Sequence, residues 1–243
     1  MANDLAVIEI VKLTKSYSEK LVIDNIDLKI KSGQIFALIG LNGQGKTSLI
    51  KSILDLSGFD SGNISMLGID SLDPISRAKI CYLPEKFQPS ADLKGIEFIK
   101  FSLSLHNTKI DTDLLKILCK ELDLDEAFLT KKVTTYSKGM VQKLGLISVF
   151  LSNCNLIILD EPMSGLDPKA RKNFKNLMVR YIESEEKTIF FTSHILSDIE
   201  EICGDIAILH DKKIKYQGDV KDFCAKYEGK SFEDKFLNLI NSN

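Results

Sequence analysis

The run GLNGQGKTS at residues 40–48 sets three glycines ahead of a lysine and two hydroxyls. Glycines at 40, 43 and 45 permit backbone conformations in which successive N–H groups turn inward, the arrangement that holds phosphate oxygens. The spacing fits G-x-x-x-x-G-K-[ST], so Gly40, Leu41, Asn42, Gly43, Gln44 and Gly45 form the candidate cradle. Lys46 would set its ammonium against the outer phosphates of a nucleotide, Thr47 would offer its hydroxyl to Mg2+, and Ser48 would add a second hydroxyl nearby. A helix beginning at Lys46 contributes unpaired N–H groups and the positive end of its dipole. The plain alternative is a glycine-rich turn carrying an exposed lysine.

A second constellation, LIILDEP, ends an apolar strand on two acids. In an open α/β sheet, ligands sit at the carboxyl ends of the strands. Asp160 is therefore the candidate Mg2+ ligand. Glu161 is the candidate general base for a water attacking the terminal phosphorus. Two acids can simply mark where a strand meets solvent. Behind a phosphate loop, however, the Mg2+-bound triphosphate needs a carboxylate at this place.

These residues need strands and helices to carry them. QIFALIG (34–40) is a continuous apolar run suited to a buried parallel strand, and it feeds the loop and a helix from Lys46 to about Leu56. Upstream, residues 5–13 read as a strand, and DNIDLKI (24–30) alternates with Ile26, Leu28 and Ile30 on one face, as a half-buried antiparallel strand does. Further strands are expected at 79–85, 156–160 and 187–194, with a hairpin-like pair from DIAILHD and KIKYQGD. Helical spacing marks 93–105, 111–122, a segment from Ser137 or Lys138 to about Leu151, Pro168 to about Glu183, ILSDIEEIC, and the amphipathic tail SFEDKFLNLI. Pro168 sits early in its helix, where its missing N–H costs nothing.

The 243 residues are 44% apolar and 27% charged with a formal net charge of −2, ordinary for a globular chain. The interspersed lysines and acids argue against a nucleic-acid binder that relies on phosphate neutralisation. Cys81, Cys119, Cys154, Cys203 and Cys224 are scattered without CxxC or metal spacing, which points to reduced cysteines in a cytosolic compartment. With three histidines, zinc is not expected. MANDLAVIEIVKL lacks the basic start and unbroken apolar core of a signal peptide. The most apolar stretch, 144–159, is interrupted by Ser152, Asn153 and Asn155 and is too short to span a bilayer.

Taken with the segments that follow, the loop and acid pair resemble the ATP-binding subunits of ABC transporters, from about Leu5 to Gly218. The resemblance implies an α/β fold of the P-loop NTPase kind: a mainly parallel core sheet, an N-terminal antiparallel β-subdomain and an inserted α-helical subdomain. One ABC ATPase domain would fill 1–243, with the core in 1–86 and 151–218, the helical insert in 87–150 and a short helical tail in 219–243. Tyr17 matches the aromatic that stacks on adenine; alone, it would read as packing. Glu85 in CYLPEKF stands where the family usually writes glutamine, near the metal and the attacking water. YSKGM (136–140) matches the signature usually written LSGGQ, departing at Tyr136, Lys138 and Met140. Its Ser137 and Gly139 would approach the terminal phosphate held by a second chain. On residues alone, such a serine is an ordinary helix cap.

In SGLDP (164–168), Asp167 matches a residue that communicates across the dimer, and it equally suits a cap for the helix at Pro168. His194 in TSH matches the switch histidine beside the terminal phosphate. Leu41 and Gln44 replace the more usual proline and alanine, Gln44 adding a polar group near the dimer seam. The resemblance implies ATP and Mg2+ as cofactors and a second ATP-binding subunit, the same chain or a close paralogue. It also implies a separate membrane permease that holds the chain on the cytoplasmic face of the membrane. Segment 84–98, with Phe87 and Phe98, would line the groove receiving a permease helix, although both aromatics also suit the core of the insert. The YLPE and YSKGM variants lean towards export. A soluble ATPase of the same family, remodelling a ribosomal or nucleic-acid complex, is the alternative.

Overall fold

The computed structural model describes residues 6–184 and 187–241. Strands β1 (Ala6–Tyr17) and β2 (Lys20–Lys31) pair antiparallel. The chain then leaves for a second sheet through β3 (Ile35–Ile39), returns through α1 (Lys46–Ile53), and completes the first sheet with β4 (Ser61–Met66) and β5 (Ile69–Asp70). After β6 (Ile80–Leu83) come three helices, α2 (Gly95–Ser104), α3 (Thr112–Glu121) and α4 (Lys138–Leu151). The chain re-enters the second sheet as β7 (Leu156–Leu159), then alternates α5 (Pro168–Ser184), β8 (Thr188–Ser193), α6 (Leu196–Ile202) and β9 (Asp205–His210). It ends with β10 (Lys213–Asp219), α7 (Val220–Lys226) and α8 (Phe232–Asn241).

The second sheet runs β10-β9-β3-β8-β7-β6, with β10 antiparallel at one edge and its other neighbours parallel. Both faces of this sheet are covered, and the strand alternation divides its residues between two cores. Ile35, Ala37 and Ile39 of β3 join Ile157, Phe191 and Ile208 against the helical layer. Phe36 and Leu38 turn the other way, joining Phe190, Ile158 and the buried face of the antiparallel sheet, Ile26, Leu28 and Ile30. Phe36 and Phe190 meet edge to face, their rings 6.0 Å apart. Each such buried side chain contributes about 1.5–3 kcal/mol relative to exposure, so the continuous apolar runs specify the central strands.

Several boundaries differ from the sequence reading. The first strand was expected from Leu5, which lies outside the described residues. Helix α1 stops at Ile53 because Asp55 takes a left-handed conformation, φ 54°, and closes the turn onto Ser52. Helix α2 starts at Gly95, where Glu97 reaches back to accept from the Lys94 N–H at 2.8 Å. Helix α7 falls within the expected helical tail of 219–243, where the spacing marks only SFEDKFLNLI. Its cap is Asp219, whose carboxylate accepts from the N–H groups of Lys221 and Asp222. Phe223, Phe232 and Phe236 from α7 and α8 are buried in the helical-side core. Among the described residues no helix is long and apolar enough to cross a membrane.

Parallel pairing places the loop after β3, Glu85 after β6, Asp160 after β7 and His194 after β8 at one end of the sheet. The register is explicit: Leu83 lies beside Leu159, Leu159 beside Phe191, and Ile39 beside Ser193.

Candidate nucleotide site

A cavity of about 730 Å³ opens at that end of the sheet, lined by residues 42–48 and by Tyr17, Glu85, Glu161 and His194. Two of the loop glycines carry the left-handed conformations expected of a phosphate cradle, φ 80° at Gly43 and 102° at Gly45. Gly45 is further fixed by space, since a Cβ there would meet Val22 Cγ1 at 3.0 Å and the Val22 carbonyl at 3.3 Å. Gly40 differs from the sequence reading. It has no positive φ; a Cβ would lie 2.6 Å from the carbonyl oxygen of Leu209, so this glycine is required by the close approach of β9. No side chain caps the start of α1, leaving its first N–H groups for an anion.

Lys46 is buried, and its ammonium donates to the Gly40 carbonyl at 2.7 Å and the Leu41 carbonyl at 3.4 Å. It also lies 3.4 Å from Glu161 Oε1. Asp160 is 1% exposed and sits between two hydroxyls. Thr47 donates to its Oδ2 at 2.7 Å, and Thr192 donates to its Oδ1 at 2.6 Å. Thr192 was not singled out in the sequence, although it immediately precedes the Ser-His pair in TSH. Its oxygen also accepts from the Glu161 N–H at 2.9 Å, fixing both acids to β8.

Glu161 occupies a left-handed conformation, φ 50°, which costs a non-glycine residue about 1–3 kcal/mol. That twist turns its carboxylate back towards the loop. Oε2 pairs with His194 Nδ1 at 2.8 Å, with the carboxylate as acceptor and the ring proton on Nδ1. Oε1 is buried and, among the described residues, has no hydrogen-bond partner. One oxygen is thus held by an imidazole, while the other is buried and faces the Lys46 ammonium at 3.4 Å.

Tyr17 stands at the cavity rim, with the Lys15 ammonium 4.4 Å from its ring centroid. Hydrogen bonding to Ser57 and then to Ser48 holds its phenol below the ordinary range. Tyr82, under the site, is pushed well up by burial, with Asp160 and Glu85 adding to the effect. Ser164 of the SGLDP loop also lines the cavity, as do Lys20, Leu21, Val22, Asp211 and Lys212, which come from β2 and the β9–β10 turn and have no motif to mark them. Gln44 Oε1 accepts from the Asp211 N–H at 2.9 Å, tying the phosphate loop to the β9–β10 turn of its own chain.

The ABC transporter family model matches residues 23–164. A second model, described as AAA domain, putative AbiEii toxin, Type IV TA system, matches residues 132–197. The Uncharacterized ABC transporter ATP-binding protein YdbJ of Bacillus subtilis is 33% identical over 98% of this chain and 78% of its own length. The chain belongs to the ABC transporter family.

A second relative, the Uncharacterized ABC transporter ATP-binding protein sll0415 of Synechocystis, is 33% identical over 84% of this chain. The match spans 58% of that relative's length. A solved structure described as the ATP binding subunit of an ABC transporter superposes with a TM-score of 0.86 at 28% identity, covering 96% of this chain and 99% of that one. The two-sheet α/β architecture with a parallel-rich core is that of the ABC ATPases.

Ser137, Gly139 and Asp167, which the ABC resemblance singles out, do not line the 730 Å³ cavity. Ser137 caps α4, its Oγ accepting from the Met140 N–H at 3.2 Å. A Cβ on Gly139 would meet the Gly165 carbonyl at 3.1 Å, so α4 starts hard against the SGLDP loop. Asp167 accepts from the Ala170 N–H at 2.9 Å and lies 3.5 Å from the Lys143 ammonium. The Ala170 bond, then Lys143, hold its carboxyl below the ordinary range. Gln142 Nε2 donates to the Pro162 carbonyl at 3.0 Å, joining the start of α4 to the segment just past the acid pair. Phe87 and Phe98 meet edge to face at 5.3 Å, both half-buried, and Gly145 admits the Phe87 ring beside α4.

Proposed function

We propose that this chain binds and hydrolyses ATP between two like subunits and thereby energises a separate membrane permease, with export as the direction. The observation that carries the reading is the divided Glu161 carboxylate. One oxygen is fixed by His194, and the other is buried 3.4 Å from the ammonium of Lys46, the lysine of the phosphate loop. A general base needs a carboxylate fixed in orientation beside the phosphates, and Lys46 leaves Oε1 to the water when it turns to them. Loop N–H groups and the α1 start bind phosphate oxygens, Lys46 stabilises negative charge on them, and Glu161 orients and takes a proton from the water.

The oxygen donors Asp160, Thr47 and Glu85 suit Mg2+, a hard cation that keeps several waters. Asp160 and Thr47 would hold it, and Glu85 would approach it or the water. When bound, it neutralises phosphate charge. Tyr17 supports adenine at the rim.

Ser137 and Gly139 lie outside their own chain's cavity, which supports a role against the nucleotide of a partner subunit. The α4 start is coupled to the acid pair through Gln142 and Pro162. Residues 87–150 would be the lever that passes this closure to the permease, residues 219–243 a tail on the core. The names of the relatives support transport coupling, and the YLPE and YSKGM sequences support export. Location on the cytoplasmic face of the membrane follows from that coupling.

Glu161→Gln tests the reading. Phosphate release is expected to fall more than about 100-fold, the low end of acid–base contributions, with ATP binding retained and ATP-dependent dimers trapped. Undiminished phosphate release by this variant removes the base assignment.

A further inference from the structure

At the end of β6 and β7 opposite to Glu85 and Asp160, three soft donors converge that the nucleotide chemistry does not use. Cys81 lies one residue into β6, Cys154 lies in the turn between α4 and β7, and His106 follows α2. Their sequence separations, 25 and 73 residues from Cys81, conceal the cluster from any spacing rule. The sulfurs of Cys81 and Cys154 are 2.7 Å apart. His106 turns Nε2 to Cys81 at 3.2 Å and Nδ1 to Cys154 at 3.5 Å. One donor atom from each residue lies within 4.8 Å of the others. Ser152 adds a hydroxyl 2.7 Å from Cys81 Sγ and 3.4 Å from Cys154 Sγ.

From this geometry we infer that Cys81, His106 and Cys154 form a binding site for a thiophilic d10 cation, zinc(II), with the Ser152 hydroxyl or a water as fourth ligand. Two thiolates and an imidazole make a borderline-soft set that suits zinc and excludes Mg2+ and Ca2+. The cysteines and Ser152 are buried, while half-exposed His106 provides the route of entry. Zn–S bonds of about 2.3 Å in a tetrahedron set the sulfurs about 3.8 Å apart. Loading therefore opens the pair by about 1 Å and expels the thiol protons to solvent. A disulfide would use the sulfurs but give no role to the imidazole or the hydroxyl lying against them, so the cation is the better fit. The bound ion would pin the α2–α3 connection to the ends of α4 and β6, fastening the helical segment to the sheet.

The test uses the whole chain, reduced and stripped of metal, with zinc alone as the probe. After gel filtration from excess zinc, the wild type is expected to retain one equivalent per chain by elemental analysis. Cobalt(II) in its place should give thiolate charge-transfer absorption and strong tetrahedral d–d bands. Cys154→Ser and His106→Asn should each weaken zinc binding more than about 100-fold, since even outer-shell changes cost 10–100-fold, with ATP binding unaltered. His106→Asn, at a half-exposed site, keeps the test open should a cysteine variant fail to fold; circular dichroism of the metal-free variants checks this. The inference is overturned if the reduced wild type retains no zinc, or if both variants retain as much as wild type. It is equally overturned by a Cys81–Cys154 disulfide in a chain that still excludes zinc after reduction.

Discussion

Thr192 does for the candidate site what no single acid can do alone. Its hydroxyl donates to Asp160 and accepts from the Glu161 N–H, so one β-branched residue sets the positions of both carboxylates. Thr192→Val keeps the shape and removes both bonds, leaving a buried oxygen and a buried N–H unpaired at about 1–3 kcal/mol each. If the cost of one of these groups falls on the transition state, kcat drops about 5- to 160-fold. ATPase kinetics should show the fall in kcat with little change in KM, and Thr192→Ser should restore most of it. A wild-type kcat in the valine variant would end this positioning role. Gly40 carries a related lesson. Its place in the glycine loop was legible from spacing, but the reason for it, the Leu209 carbonyl 2.6 Å from a would-be Cβ, belongs to a strand nearly 170 residues away.

The elements are held in register by buried polar clamps as well as by apolar layers. Lys175 of α5 donates to Asp198 of α6 at 3.1 Å and to Glu201, and Arg171 lies 3.8 Å from Asp198. Burial alone would lower the Lys175 ammonium, but the bonds to Glu201 and Asp198 outweigh it and raise its pKa. A raised cation contributes stability in full below its unfolded pKa of about 10.4, and the contribution is lost as pH rises through the higher folded value. Lys175→Met leaves Asp198, 5% exposed, with one partner fewer. Denaturant unfolding should show a loss of about 2 kcal/mol at pH 7. The difference from wild type should shrink above about pH 10.5. A pH-independent difference would mean that lost packing, not the ion pair, carries the effect. Most elements were legible because apolar runs and three-and-four spacing report burial directly. Helix α7 lies within the expected helical tail but spacing does not place it there, because VKDFCAK is too short for such a pattern to show; its cap and Phe223 declare it only when packed.

On the scale of the whole molecule, the residues that resemble the ABC signature, Ser137 and Gly139, do not line the chain's own cavity. If a second subunit completes each pocket, turnover per chain rises with protein concentration and saturates once dimers dominate. Ser137→Arg should then abolish that rise, because a bulky cation replaces a capping hydroxyl at the facing surface, while nucleotide binding to the single chain persists. Phosphate-release assays over a dilution series, with sedimentation in parallel, check both. Turnover per chain that stays constant on dilution to monomer would contradict the paired arrangement.

The sequence by itself determined the phosphate loop, the acid pair, most of the strand and helix types and the α/β class, because each is written in local spacing or in a continuous burial pattern. Tertiary structure alone decided what lies opposite what. It brought Thr192 to both acids, folded Gln44 onto the β9–β10 turn, and gathered Cys81, His106 and Cys154 into one cluster. The physical reason is that parallel strands need long crossovers. Neighbours across the sheet are therefore remote in the chain, and side-chain contacts between them leave no periodic trace in the sequence.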